Sequence, residues 1–133
     1  MWKNPTEEKN GKDDDWDGFT DDIHGIDAIS GTGNIFDEIG HGTHVAGVIG
    51  AVADNGKGVA GINWDTQLMG IKITSGEKLS LLGAINGILY AAENGARIAN
   101  HSWGGRVNNP ILEDVMATSV SYTHLTLPTI LLV

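Results

Sequence analysis

The stretch that decides the fold is Gly40-His41-Gly42-Thr43-His44-Val45-Ala46-Gly47, which begins an apolar segment rich in glycine. Apolar residues recur at helical spacing from Val45 onward, and this spacing predicts a helix over residues 42–53. Gly47 and Gly50 lie inside that helix, where each costs about 1 kcal/mol relative to alanine. Glycines at these positions predict a helix that packs closely against other backbone.

The segments that follow predict an α/β fold. Residues 67–73 are nearly continuously apolar, which is typical of a buried parallel strand. A helix is predicted from Ser80, its N-cap, to a stop at Asn94-Gly95, and a short strand is predicted over residues 97–102. Pro110 begins a further helix over residues 110–118. Strand, helix and strand in this order predict a parallel sheet with right-handed crossovers.

The composition excludes several classes of function. The chain has 133 residues, 17 Asp and Glu, 8 Lys and Arg, and a formal net charge of −9. Such a charge repels phosphates, so we expect no nucleic-acid partner. With no cysteine there is no disulfide, thiolate zinc site or cysteine nucleophile. No apolar run is long enough to predict a membrane span, and the first residues lack the apolar core of a signal peptide.

The two ends of the chain differ in character. Eleven of the 17 carboxylates lie in residues 1–40, a polar segment without a sustained period that is predicted to be loop. Residues 120–133 (VSYTHLTLPTILLV) carry no charge. Back-translated in one frame, residues 120–129 match the reverse complement of a transposase-based sequencing adapter. We therefore predict that residues 119–133 are a non-native tail. A natural apolar C-terminal strand over residues 125–133 is the alternative.

The histidine stretch resembles that of the subtilisin-like serine peptidases, or subtilases. Residues 58–63 (GVAGIN) and 99–105 (ANHSWGG) are similar to the family's next landmarks and stand in the same order. The acidic segment from Trp2 to Asp22 is similar to an insert in one bacterial branch of the family. The resemblance covers about residues 1–118. It implies an incomplete part of a three-layer α/β/α catalytic domain in which residues 1–40 form an acidic loop insert.

The resemblance makes His41 the general base of an Asp/His/Ser triad and His44 a structural residue. Without the flanking motif, a capped, solvated histidine would be the favoured interpretation of His41. His41 and His44 also share one helix face, which would allow a metal site. A catalytic zinc needs three protein ligands, however, and no H-E-x-x-H pattern is present.

By the same resemblance, Ser102, Trp103 and Gly104 belong to the segment that pairs with a polypeptide substrate and walls its specificity pocket. The alternative is an ordinary strand end with Trp103 in the core. No role is assigned to His101.

The family's catalytic aspartate, oxyanion asparagine and nucleophilic serine have no counterpart in this sequence. We therefore expect the 133 residues to be inactive, although they derive from a secreted, monomeric serine endopeptidase. A non-catalytic subtilase-like binding or structural domain is the alternative, and a small calcium-binding module is a third hypothesis.

Acidic residues predict a structural calcium ion in the N-terminal segment. Asp13, Asp15, Asp17 and Asp21 follow the beginning of an oxygen-rich calcium loop together with the Phe19 carbonyl. His24 replaces the bidentate glutamate that would complete an EF-hand, so a looser site is expected. By resemblance, Asn55 is a ligand of a second calcium site. A solvated acidic loop without metal is the alternative.

Overall fold

The computed structural model describes residues 1–104 and 109–123, with side chains described as far as residue 119. Within these ranges the chain forms seven elements. They are β1 (Gly25–Asp27), α1 (His41–Gly50), β2 (Gly70–Lys72), β3 (Thr74–Ser75), β4 (Lys78–Leu79), α2 (Leu81–Glu93) and α3 (Pro110–Thr123). None of these helices has the length and apolar character needed to cross a bilayer.

Strands β1 and β2 form a parallel pair, with Ile26 opposite Ile71 and Asp27 opposite Lys72. The helix between them gives a β–α–β unit, so the fold is an incomplete α/β fold. The prediction that residues 1–40 are entirely loop is wrong at β1, whose partner lies far along the chain. Gly25 is necessary here because its φ of 129° is left-handed and a Cβ would lie 1.9 Å from the Gly70 carbonyl oxygen.

Helix α1 ends three residues earlier than predicted. Ala51 turns to an extended conformation, and the backbone of residues 61–63 then pairs with the end of the helix. The N–H groups of Gly61, Ile62 and Asn63 donate to the carbonyls of Ala51, Val48 and Ile49 at 2.9–3.0 Å. These bonds satisfy carbonyls that a helix end leaves without partners.

The predicted close approach of α1 to other backbone is found at its end. A Cβ on Gly61 would lie 2.4 Å from the Ala51 nitrogen, and a Cβ on Gly50 would meet the Thr66 methyl group at 2.4 Å. A Cβ on Gly47 would meet nothing within 4 Å. Of Gly47 and Gly50, only Gly50 therefore serves tight packing among the described residues.

Helix α2 has the limits that its capping residues predicted. The Ser80 hydroxyl accepts a hydrogen bond from the Gly83 N–H at 3.0 Å. At the other end, the Asn94 N–H donates to the Tyr90 carbonyl and Gly95 takes a positive φ of 75°. The helix packs against β2 and α3.

Residues 97–102 do not form the predicted strand. They form no regular element, and no strand of the described residues lies beside them, so their backbone has no ladder partner there. Helix α3 begins at Pro110 as predicted, with the Asn109 side chain accepting from the Leu112 N–H at 3.1 Å. It continues through residues 119–123, which fall in the predicted tail; the rest of that tail, residues 124–133, lies outside the described residues.

The core is small and lies between the β1–β2 pair and α2. Ile26 is fully buried, and Tyr90 is nearly so. The Trp2 and Phe19 rings pack edge-on against Tyr90, at centroid distances of 6.3 and 5.3 Å. The core therefore joins the N-terminal acidic segment to helix α2.

Candidate functional site

His41 is the first residue of α1 and is exposed to solvent. It follows Gly40, whose φ of 87° is left-handed, so the chain turns sharply into the helix. Within the described residues no hydrogen bond or ion pair joins the imidazole of His41 or of His44 to another side chain. The His41 ring is thus presented at the surface, with both nitrogens available.

Asp37 holds the turn in front of His41. One of its carboxylate oxygens accepts from the N–H groups of Ile39 and Gly40 at 3.0 and 2.8 Å. The other accepts from the N–H and the hydroxyl of Thr43, both at 2.8 Å. The backbone hydrogen bonds from Thr43 and Gly40 hold the pKa of this carboxyl far below its usual range. Asp37 therefore caps the helix and positions His41.

Asp37 was not predicted as a functional residue, although the sequence contains a signal for a helix cap. An aspartate shortly before a predicted helix is a common N-terminal cap, and Thr43 in the first turn offers a second donor. The expected N-cap position is occupied by Gly40, which has no side chain to serve as a cap.

The predicted substrate segment, residues 102–104, forms no helix or strand, and its backbone makes no hydrogen bond to the other described residues. Ser102 and Gly104 are exposed, and Trp103 is half-buried against the His101 ring, with the two centroids 5.5 Å apart. The Ser102 hydroxyl accepts from the Asn100 amide at 2.7 Å. Burial lowers the pKa of His101, so this ring is held in its neutral form near pH 7. Free backbone groups at Ser102 and Gly104 could pair with an extended peptide.

Three of the predicted calcium ligands lie together. Asp13 and Asp17 each belong to a group of carboxylates that includes Asp15, and each group is completed by a residue that the loop pattern did not include, Glu7 or Asp22. Glu7, Asp13 and Asp15 each place an oxygen within 4.8 Å of the others, and Asp15, Asp17 and Asp22 do the same. We call these five residues the acidic cluster.

The other two predicted ligands lie elsewhere. The Asp21 carboxylate accepts from the N–H groups of Asn10 and Gly11 at 2.9 and 2.8 Å, which holds a turn on the outer side of the loop. The Asn55 side chain accepts from the Lys57 N–H at 2.9 Å in an exposed turn. Asp21 does not belong to the groups of potential carboxylate and histidine ligands that the described residues form.

Hydrogen bonds arrange the acidic cluster around Asn4, which is 1% exposed. The Asn4 amide donates to Asp15 and to Asp22, at 3.0 Å in each case. The Tyr90 hydroxyl also donates to Asp22, and both desolvation and this bond raise the pKa of Tyr90 strongly. Helix α2 is thereby connected to the acidic loop.

The carboxylates in the cluster titrate differently. Desolvation raises the pKa of Asp17 to about 6, and its acidic neighbours act in the same direction. At Asp15 desolvation also acts to raise the pKa, but hydrogen bonds from Asn4 and Thr6 outweigh it and lower the pKa overall. The all-oxygen donor set suits a hard cation such as Ca²⁺.

Comparison with known proteins identifies the family. The sequence profile described as "Subtilase family" matches residues 2–124. The major intracellular serine protease of Bacillus subtilis (strain 168) is 42% identical over 105 residues, which cover 77% of this chain and 31% of that protein.

Two further relatives show the same pattern. Subtilisin-like protease 1 of Plasmodium falciparum (isolate 3D7) is 36% identical over 96 residues, covering 71% of this chain and 14% of that protein. Thermitase of Thermoactinomyces vulgaris is 36% identical over 78 residues, covering 58% and 28%. The chain thus spans less than a third of each of these relatives. Because the family profile matches nearly all of its residues, the chain belongs to the subtilase family.

Proposed function

We propose that this chain is the histidine-bearing part of a serine endopeptidase catalytic domain. The observation that carries the proposal is the exposed imidazole of His41 at the capped start of α1, within a chain that matches the family from residue 2 to 124. Its relatives are named as proteases. In the proposed reaction His41 takes the proton of a serine hydroxyl, the serine oxygen attacks the peptide carbonyl, and His41 returns the proton to the leaving amine.

The 133-residue chain is proposed to be inactive by itself. None of its described serines lies within hydrogen-bond distance of His41, and no described carboxylate holds the other ring nitrogen. A fluorophosphonate probe, which labels activated serines, should therefore leave the purified chain unlabelled, and casein should remain intact. Labelling that disappears in His41→Ala would contradict this proposal.

A polypeptide is the proposed substrate, bound along residues 102–104. The unpaired backbone there would form main-chain hydrogen bonds with an extended peptide, as in strand addition. Trp103 would line one side of the pocket for a substrate side chain. A peptide that protects the N–H groups of Ser102 and Gly104 from hydrogen exchange would support this assignment. Protection confined to other segments would contradict it.

We propose that the acidic loop binds structural calcium through Asp13, Asp15 and Asp17. The support is a set of buried carboxylate oxygens that have no hydrogen-bond partner. Bound calcium would neutralise these charges and fix the loop. Terbium, which substitutes for calcium, should luminesce when the nearby Trp16 is excited, and excess calcium should abolish the signal. No sensitised emission would overturn the proposal.

We also propose that the full protein is secreted and monomeric, since extracellular calcium is abundant enough for a modest-affinity site. The relatives' names include both a cell wall-associated protease and an intracellular one. Fractionation of the native host with an antibody against this chain tests the proposal, and a signal confined to the cytosol would contradict it.

A non-catalytic domain is the second candidate, favoured by the absence of a triad partner for His41 among the described residues. In that case a full-length protein would bind peptides without cleaving them.

A further inference from the structure

The acidic cluster contains two overlapping groups of ligands instead of one. Glu7 and Asp13 form a group with Asp15, and Asp17 and Asp22 form a second group with the same Asp15. Within each group the three oxygens lie no more than 4.8 Å apart. Calcium–oxygen bonds measure about 2.3–2.6 Å, so one ion can contact all three oxygens of a group.

Four carboxylates of the cluster share one arrangement, in which one oxygen is held by donors and the other is bare. The Glu7 carboxylate accepts from the Asp14 N–H at 2.5 Å, and the Asp13 carboxylate accepts from the Gly18 N–H at 3.0 Å. Asp15 is held by Asn4 and Thr6, and Asp22 by Asn4 and Tyr90. The second oxygen of each of these four carboxylates is buried without a partner.

Because these bare oxygens are buried, they are evidence for a bound cation. The Glu7 side chain is only 4% exposed and Asp22 is fully buried, so water does not compensate their charge. An unpaired buried carboxylate is costly unless a cation accompanies it. The salt bridges in the described residues involve Lys72, which pairs with Asp27 and Glu38 and not with the cluster. Among residues 1–104 and 109–119, the cluster therefore has no salt bridge to a protein cation.

The charge of the cluster exceeds what one ion neutralises. Five carboxylates carry five negative charges when all are ionised, and one calcium ion would leave three. Two ions would leave one, which the neutral donors Asn4, Thr6 and Tyr90 help to stabilise. The bare oxygens are also divided between the groups, with those of Glu7 and Asp13 in one and that of Asp22 in the other.

We propose that the acidic loop holds two adjoining calcium ions that share Asp15. The first is held by Glu7, Asp13 and Asp15, and the second by Asp15, Asp17 and Asp22. This inference rests on the proposal that the loop binds calcium, and it adds the number of ions and two ligands, Glu7 and Asp22. Asn4 and Tyr90 are positioning residues, because each donates to one oxygen of a cluster carboxylate and leaves the other oxygen unpaired.

Isothermal titration calorimetry of the full 133-residue chain with calcium chloride tests the number of sites. We expect two ions per chain. Asp22→Asn and Glu7→Gln should each reduce the number to one, and Asp15→Asn should weaken both sites at least tenfold. Asp65→Asn is the matched control, since Asp65 is exposed and outside the cluster, and it should retain two ions.

The outcomes separate this inference from the calcium proposal itself. One ion in the unaltered chain leaves the calcium proposal standing and overturns the two-ion arrangement, whereas no binding overturns both. Two ions in the unaltered chain that persist in both Asp22→Asn and Glu7→Gln would overturn the assigned ligands. Far-UV circular dichroism checks that each variant folds, and if one variant is unfolded, the unaltered chain and the other variant decide the question.

Discussion

The acidic loop and helix α1 invert the usual relation between polarity and burial. The loop is polar in sequence, yet its Asn4, Glu7 and Asp22 are buried and connected by side-chain hydrogen bonds. Helix α1 is apolar in sequence, yet none of its residues is buried, and Val48 in its last turn and Val52 just beyond its end are exposed.

The difference concerns where each region finds its partners. The loop is held by hydrogen bonds among its own side chains and by the Tyr90 hydroxyl of α2. Because these bonds leave buried carboxylate oxygens unpaired, the stability of the loop depends on charge compensation. Helix α1 is fixed at its two ends, by Asp37 and by residues 61–63, while its apolar side chains are at most partly buried. We therefore expect the two regions to respond to different perturbations.

The largest expected effect is the removal of calcium. At a calcium concentration 100 times the dissociation constant, one site stabilises the bound form by about 2.7 kcal/mol. Chelation should therefore speed proteolytic cleavage within residues 1–33 by up to roughly a hundredfold and leave cleavage near α1 nearly unchanged. Limited proteolysis followed by mass spectrometry measures both rates. Equal acceleration in the two regions would show that they are not independent.

Substitution of Gly61 by alanine should act on α1 alone. The new Cβ would lie 2.4 Å from the Ala51 nitrogen, so the segment that pairs with the helix end must move. Overpacking of this kind costs about 1–3 kcal/mol. Urea unfolding followed by circular dichroism measures the loss. The matched control is Gly47→Ala, whose Cβ meets nothing and which should stabilise the helix by about 1 kcal/mol.

Tyr90→Phe should loosen the connection between α2 and the loop. The ring and its packing against Trp2 and Phe19 remain, so the change isolates the hydroxyl that donates to Asp22. Loss of this bond to a charged group should lower the free energy of unfolding by about 1.5 kcal/mol in a chelating buffer. Urea unfolding followed by tryptophan fluorescence measures it. An unchanged midpoint would mean that Asp22 does not depend on Tyr90.

The smallest expected effect is at the start of α1. Asp37→Ala removes acceptors from Gly40 and Thr43 and should cost about 1 kcal/mol. Because the folded-state pKa of Asp37 is depressed, its contribution is present above the ordinary aspartate pKa and is lost as the pH falls below that value. The difference in unfolding free energy between the unaltered chain and Asp37→Asn should therefore shrink between pH 6 and pH 3. A constant difference would contradict the assigned role of the charge.

Local signals in the sequence predicted the helices well. The helix ends are marked by local preferences of single residues, and the structure confirms each of them. These residues are Ser80, which caps α2 with its side chain, Asn94-Gly95 and Pro110. Strand β1 was missed because Gly25-Ile26-Asp27 is too short to show a period, and its identity depends on pairing with β2. Residues 97–102 show the reverse case, since strand propensity without a neighbouring strand among the described residues gives no strand.

The candidate sites divide in the same way. The alternating aspartates at 13, 15 and 17 were found because neighbouring loop residues are read directly from the sequence. Glu7 and Asp22 join them through hydrogen bonds to Asn4, Asp14 and Tyr90, which depend on the folded chain. Asp21 was included by spacing alone, and its backbone hydrogen bonds direct its carboxylate elsewhere.

The backbone hydrogen bonds between residues 61–63 and the end of α1 have a practical consequence. The carbonyls of Val48 and Ile49 accept hydrogen bonds from main-chain N–H groups, so this pairing does not depend on the side chains at positions 62 and 63. Ile62 is 85% exposed, and the chain contains no cysteine. Ile62→Cys would therefore give a single thiol for a spectroscopic probe that follows the histidine helix while its hydrogen bonds remain intact.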